Sequence, residues 1–473
     1  MKIARFVMAG LALLGLGEVT ASAQSLAMPH SYLYENRPTG APVVQPAGDA
    51  YDSFYQIAPE NTQSGGPLAT GKQAEGGAAE KAETGEAARE SKQEELAAES
   101  EESEQNKPWE LPEPCFLKKR GWEWGGWIDS GVYTNAHGSE SNGTLGMLGN
   151  LNDYNLNQIW FYLQKPVTTD SCQFSFGGRV DYLFGTDAPF IQSFNGRGWD
   201  AGWDSSRYYG SALNQAYAEI GWNNWDFKLG HFATAHGQEV SPAKDNFFYS
   251  HSYTWFYGEP LTHTGVLATY TGVKNWTFYG GWTNGWDLGF DAPEGASTFL
   301  GGVAYNLSEK SSIAYVVSTG KLGANITVPR APVPLGEAYL QTIILKIGLS
   351  DKLTWVTMSD LGVQTDLPVG DGDVTWGGIT EYLQYTINDC WAAGLRWEWF
   401  SDVDGGRVLP RQAFGSFYEL TAGLNYKPHP NVILRPEIRY DWFDGHAAPN
   451  GLPFNGGRNE DQLSGGFDAI FTF

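Results

Sequence analysis

Charged residues of both signs recur in this chain at a spacing of two. Arg435, Glu437, Arg439 and Asp441 form the longest row, and Arg396 with Glu398 and Arg179 with Asp181 form shorter ones. Glu219 and Lys228 stand four residues before and four after the dipeptide Asn223-Asn224. In an extended chain, residues two apart point to the same side, so each row is one ionic face. Such faces can pair across neighbouring strands, set up a transverse field or bind a charged solute, and they can equally do no more than satisfy a wet surface. A second group, His231, His236, Glu239, His251 and His263, lies in or beside the longest stretch without alternation, which also holds Lys244 and Asp245. These residues raise the question of a metal site. Ordinary loop packing explains them more cheaply, so no metal and no other cofactor is expected. No Ser, His and acid stand together apart from the loop background, and no enzyme is expected.

The elements that carry these rows have two contrasting faces. Opposite the Arg435 row stand Val432, Leu434, Ile438, Tyr440 and Trp442; opposite Arg396 and Glu398 stand Trp391, Leu395, Trp397 and Trp399. Phe174, Phe176, Val180, Tyr182 and Phe184 likewise oppose Arg179 and Asp181. The closing stretch, Asp461 to Phe473, puts Leu463, Phe467, Ala469, Phe471 and Phe473 on one parity and polar residues on the other, with Ile470 the exception. A bare apolar edge of that kind invites aggregation in water, whereas a closed membrane barrel has no edge. Terminal-aromatic strands also resemble the signal by which barrel assembly machinery recognises bacterial outer-membrane proteins. A charge facing lipid at mid-depth costs about 2–4 kcal/mol, so the ionic faces are expected to point into a water-filled lumen. No run after the N-terminus reaches the roughly 18 apolar residues of a spanning helix. The 19 Trp suit membrane interfaces, where one end of the ring is apolar and the other wet.

Sixteen strands are expected, within a range of fourteen to eighteen. They run over 121–134, 156–165, 172–184, 213–222, 225–232, 262–271, 275–287, 298–307, 312–320, 338–349, 353–361, 374–387, 390–401, 414–426, 431–443 and 461–473. Connections alternate between long ones, such as 135–155, 185–212 and 233–261, and short ones, such as Asn223-Asn224, Ser350-Asp351 and Asn388-Asp389. Short turns at one end and long loops at the other mark an outer-membrane barrel. Two strands are irregular. Glu381 shares a parity with Ile379, Leu383 and Tyr385, which a bulge near Gly377-Gly378 would repair. Pro436 lies on an apolar parity without an N–H, which predicts a bulge or a weak strand end.

Upstream, Lys2 and Arg5, an apolar run from Phe6 to Leu16 and Ala21-Ser22-Ala23 read as a signal peptide over 1–23, and so as export. Residues 24–120 are expected to be an acidic periplasmic tail or linker. Between Lys72 and Lys107 it has eleven Glu against five Lys or Arg and cannot bury a core. The barrel takes 121–473. Cys115, Cys172 and Cys390 are too few and too scattered for a disulfide framework, with one pair left undecided. A net charge of −24 and the lack of a basic stripe argue against nucleic acid.

The run Lys228-Leu-Gly-His-Phe-Ala-Thr-Ala-His-Gly-Gln-Glu239, followed by Asn246–Tyr253 and by Pro260–Val266, resembles the OmpL-like outer-membrane β-barrel porin family. Arg179–Asp187 and Arg396–Asp402 match its texture. The resemblance covers 121–473 and implies passive diffusion of small hydrophilic solutes and ions across the bacterial outer membrane. Lumen residues would be Arg179, Asp181, Glu219, Lys228, Arg396, Glu398, Arg435, Glu437, Arg439 and Asp441. The loop 233–261, with His236, Glu239, Lys244 and Asp245, would either fold into the barrel as a constriction or face outward. A net charge of −17 from Gly121 onward favours modest cation selectivity. A sugar-specific channel and a structural or adhesive barrel without an open pore are the alternatives. Outer-membrane lipid is an expected partner, and trimers are known for porins of this size.

Overall fold

The computed structural model describes residues 107–473, apart from 150–152, 194–198, 201–202, 204–207, 291–294, 323, 326–332, 335, 366–372 and 409–412. The expected signal peptide and most of the acidic tail lie outside the described residues. Sixteen strands form a closed antiparallel barrel. In chain order they are β1 (Glu123–Asn135), β2 (Tyr154–Lys165), β3 (Ser175–Gly185), β4 (Gly210–Trp222), β5 (Trp225–Ala233), β6 (Thr262–Val273), β7 (Trp276–Thr283) and β8 (Ser297–Ser308). The ring continues through β9 (Ser311–Lys321), β10 (Glu337–Gly348), β11 (Leu353–Gln364), β12 (Val374–Thr386), β13 (Trp391–Asp402), β14 (Ala413–His429), β15 (Val432–Ala447) and β16 (Asp461–Thr472). Each strand pairs with its chain neighbours, and β16 closes on β1 with Trp127 opposite Thr472. The terminal Phe473 exchanges both backbone hydrogen bonds with Gly126 at 3.0 Å, so the chain end is held in the ladder.

Alternation sorts the side chains as a barrel in lipid requires. Ile438, Leu420, Val180, Val266 and Leu463 are exposed on the outside, while Arg435, Arg439, Asp441, Arg396 and Glu398 are buried on the inside. Ile470, the odd residue of the closing strand, is fully buried within. Aromatic pairs such as Trp391–Tyr426, with centroids 4.2 Å apart, and Trp225–Tyr270, at 4.6 Å, line the short-turn end. Rings are favoured there because that level is half apolar and half wet. Asn223 and Asn224 take φ of 48° and 67°, the left-handed pair that a two-residue hairpin turn requires.

Three expectations change. The β11–β12 and β12–β13 ladders run without a break past Gly377-Gly378, so no bulge turns Glu381 inward. Its carboxylate stays on the outer side, where Trp355 Nε1 and Thr357 Oγ1 donate to it. The strand expected over 275–287 stops at Thr283. Asp287, at φ 52°, turns back and accepts from the N–H groups of Leu261 and Thr262. Finally, the ionic faces do point inward, but they do not meet open water, as described below. At Pro436 the β14–β15 ladder lapses between Gly423–Glu437 and Tyr426–Leu434, as a missing N–H dictates.

At the short-turn end a helical turn, α1 (Cys115–Lys118), precedes β1. Trp109 stacks on His429 with centroids 4.4 Å apart, its N–H donates to Asn431 Oδ1 at 2.6 Å, and its carbonyl accepts from Asn431 Nδ2. The segment entering the barrel is therefore fastened to the β14–β15 turn. The three cysteines are exposed and unpaired.

Candidate conduit and the loop inside it

The segment 234–261 leaves the top of β5, descends into the barrel and returns to β6. Its sequence prepares it for this course. Gly237 takes φ 89°, and any β-carbon there would collide with the Glu259 carboxylate. The walls make room as well: β-carbons on Gly394 of β13 and Gly378 of β12 would run into the Phe247 ring and Thr254 Oγ1. A five-residue π-type turn, Thr254–Gly258, is wholly buried.

Polar wall residues hold the loop by its backbone. Glu437 accepts from the N–H groups of Tyr249 at 2.8 Å and Ser250, and Glu398 from those of Tyr253 and Thr254 at 2.5 and 2.6 Å. Arg435 donates to the carbonyls of Ala243 and Asn246 at 2.7 and 2.8 Å, and Arg439 to that of His251 at 2.6 Å. Within the wall, Arg435 is paired with Asp468, Arg439 with Asp441 at 2.7 Å, and Arg396 with Glu419. The three buried arginines are tolerated because each has both a counter-ion and further hydrogen bonds.

The loop's own residues complete the network. His236 reaches across to β9 and β10, with Nε2 3.1 Å from Ser318 Oγ and Nδ1 2.8 Å from Thr342 Oγ1. Glu239 receives Arg396 Nη1 at 2.7 Å, Tyr382 OH at 3.0 Å and the Ser252 N–H at 2.9 Å, with His251 Nδ1 at 3.1 Å. Burial opposes ionisation of Glu239, but the Arg396 guanidinium and the hydrogen bonds from His251 and Ser252 outweigh it and hold its pKa down to about 2. Lys244 pairs with its neighbour Asp245 at 2.7 Å and lies 5.3 Å from the Trp127 ring. Both face a cavity of about 280 Å³ at the short-turn end, bordered also by Gln384, Asn425 and Lys427.

The remaining expected lumen residues sit apart from this network. Arg179 donates to Asp181 at 2.8 Å and to Gln164 at 2.6 Å and stacks over Tyr162. Asp181 also accepts from Gln215. Glu219 and Lys228 are directly opposed in the β4–β5 register, with Lys228 over the Tyr217 ring. Sequence reasoning omitted Glu419, Asp129 and Asp468 from the lumen set, although each falls on the inward parity of its strand. His231 lies on the outer parity instead, beside Thr264 Oγ1 at 2.7 Å and Trp199.

The waist of the barrel is shut in this conformation. Asp129, Gln158, Asp181, Gln215, Thr342, Thr380, Arg396, Glu398, Glu419, Arg439, Asp441 and Asp468 are each at most 1% exposed, around most of the ring. Residues 136–149 add a cap, with Gly146 against the Phe256 ring and the Thr144 carbonyl accepting from Tyr257 OH at 3.0 Å.

A sixteen-stranded antiparallel barrel with an inward ionic wall and a long loop folded into it is a porin geometry. A family model described as "Putative beta-barrel porin-2, OmpL-like" matches residues 121–473. The chain belongs to this OmpL-like porin family. Among solved structures, the outer membrane channel DcaP of Acinetobacter baumannii superposes with a TM-score of 0.51 at 12% identity, over 74% of this chain and 97% of that one. An anion-selective porin from Comamonas acidovorans gives 0.51 at 10% identity, over 74% and 99%. Identities this low carry the fold alone. No curated protein sequence matches the chain. Family and fold place this OmpL-like porin in the bacterial outer membrane, its apolar outer face against lipid.

Proposed function

We propose that this OmpL-like porin is a passive diffusion channel for small hydrophilic solutes and ions, with a mild preference for cations, whose conduit opens when the loop 234–261 shifts from the wall. The observation that carries this reading is the kind of contact that holds the loop. Its tip is tied by discrete ionic and hydrogen-bonded pairs, to Arg396, Glu398, Arg435, Glu437 and Arg439, alongside packing of Phe248, Tyr253, Trp255 and Phe256 against buried apolar residues of the barrel. Water can replace the polar pairs one by one, which lowers the cost of releasing that part of the loop's hold. Once it moves, the buried polar ring becomes a hydrated wall with acids in excess, which supports cation preference.

The burial of that wall favours a second reading, a structural barrel without an open pore. Planar-bilayer recordings of the refolded protein separate the two. Stepwise openings, with a reversal potential in a salt gradient displaced toward the cation equilibrium value, support the channel. A silent bilayer containing folded protein supports the closed barrel, and an anion-directed displacement removes the selectivity assignment. Liposome swelling with sugars of graded size tests whether passage is general or sugar-specific.

A further inference from the structure

The outer wall carries one group of polar side chains that the conduit does not use. Glu381 of β12 is the one outward-facing charge lying away from a strand end among the described residues; it is half-buried beneath the Trp355 and Thr357 donors. Thr357 and Ser359 follow on β11, and Gln341 on β10 completes a diagonal. The register fixes it, with Glu381 opposite Thr357, Ser359 opposite Ile343, and Gln341 opposite Leu361. Elsewhere the outer face carries exposed apolar residues such as Ile438, Leu420, Val180 and Val266.

Hydrocarbon offers no hydrogen bonds, and a polar group left unpaired in it is costly. Gln341 Oε1 accepts from Tyr339 OH at 2.7 Å, but among the described residues neither the Gln341 amide nitrogen nor the exposed Ser359 hydroxyl has a partner within the chain. Two donors of the group, at Ser359 and Gln341, therefore go unanswered within the chain, while Glu381 has acceptor capacity to spare, since a carboxylate can take about four hydrogen bonds. Those two needs are complementary. An isologous contact would answer both needs at once, setting the Ser359 hydroxyl and Gln341 amide of one copy against the Glu381 carboxylate of the other, and the reverse.

We infer that the β10–β12 outer wall is an interface between two copies of this chain in the membrane, joined by Glu381 of each copy accepting from Ser359 and Gln341 of the other. The patch contains both halves of the contact, so no other polypeptide is needed to complete it. The contact is independent of conduction and leaves room for further subunits elsewhere on the wall.

Site-specific photocrosslinking in the outer membrane tests it. p-Benzoylphenylalanine at Ser359, and in a second strain at Gln341, is expected to give a covalent adduct of twice the chain mass, with mass spectrometry mapping the second peptide to β10–β12. The same probe at Val180 on the opposite wall is expected to give none. Adducts with lipid or another polypeptide alone, or equal self-adducts from Val180, overturn the inference. With the probe at Gln341, the double variant Glu381→Leu, Ser359→Ala is expected to lose the self-adduct by about tenfold or more, whereas Glu381→Gln, which still accepts, retains it. Heat-modifiable gel mobility verifies that each barrel is folded. An undiminished adduct in a folded double variant also overturns the inference.

Discussion

Glu239→Gln tests whether the loop is a latch. Glu239 belongs to the loop, while its partner Arg396 keeps a second carboxylate, Glu419, on the neighbouring strand, so the substitution loosens the loop and leaves the wall paired. A hydrogen bond to a charged group contributes about 1.5–3 kcal/mol, and each 1.4 kcal/mol is a factor of about ten. Replacing the carboxylate by an amide keeps one acceptor, so the open-to-closed ratio is expected to rise by roughly 10- to 100-fold. Glu239→Ala removes every contact this carboxylate makes, while Arg396 keeps Glu419 and the Ser250 carbonyl, and is expected to open the channel further. Single-channel open probability in planar bilayers, with circular dichroism and gel mobility as folding controls, measures both. Acid offers the same perturbation without mutation. The carboxyl is held at about 2 in the latched loop and returns toward its ordinary 4.5 when the loop is released. Its contribution is therefore complete above about pH 4.5 and is lost as pH falls toward 2. Open probability should show no Glu239-dependent rise between pH 8 and 5, then a rise in the wild type below 4.5 that is absent from Glu239→Gln. Equal open probability in wild type and Glu239→Ala, with both folded, refutes the latch.

The other predictions concern the wall and the entry segment. Gly394→Val places a branched side chain where the Phe247 ring packs; overpacking of this kind costs about 1–3 kcal/mol, so raised open probability with an intact barrel is expected. Ile438→Lys puts a charge on the lipid side and should lower urea stability in vesicles by about 2–4 kcal/mol. The adjacent inward substitution Glu437→Gln should instead act on loop mobility, and equal stability losses from the two would contradict the assignment of faces. Trp109→Ala removes the stack on His429, worth about 0.5–1.5 kcal/mol beyond area burial. Faster hydrogen exchange over 107–120 with unchanged conductance is the expected result.

Strand number, strand faces and the alternation of turns and loops were legible because all three depend on period-two patterning against two solvents, which a single sequence displays. The inward row Arg435, Glu437, Arg439 and Asp441 is the clearest case: a one-residue slip would put four charges in lipid. What the rows would face was not legible. Whether they bound water or protein depended on the course of residues 234–261, and loop paths follow from distant shape complementarity, here including the bare wall positions Gly378 and Gly394, rather than from local periodicity. Glu381 escaped for the opposite reason. Period-two reasoning flagged it correctly and then explained it away with a bulge, because a lone chain in lipid gives an outward carboxylate nothing to do.

The two departures share one physical cause. Inside, charges expected to be solvated are paired with a loop; outside, a charge expected to turn inward stays where hydrocarbon should be. In both places a polar group sits where bulk solvent was expected and is covered by protein contacts, from residues 234–261 in the lumen and, by the inference above, from a second copy at the β10–β12 wall. An isolated barrel wall sees only water or lipid, and its sequence pattern is written for that pair of solvents. Where the pattern and the structure disagree, the disagreement marks a third surroundings, protein. The loop contacts to Arg435, Glu437, Arg439 and Glu398 are made by backbone N–H and C=O groups, which every sequence supplies, so for those contacts the coded half is the wall, whose residues are spaced to meet a backbone that turns past them. That division explains why substitutions in the wall should alter gating more predictably than substitutions of most loop side chains, Glu239 excepted, because Glu239 is the loop's own charge answering a wall arginine.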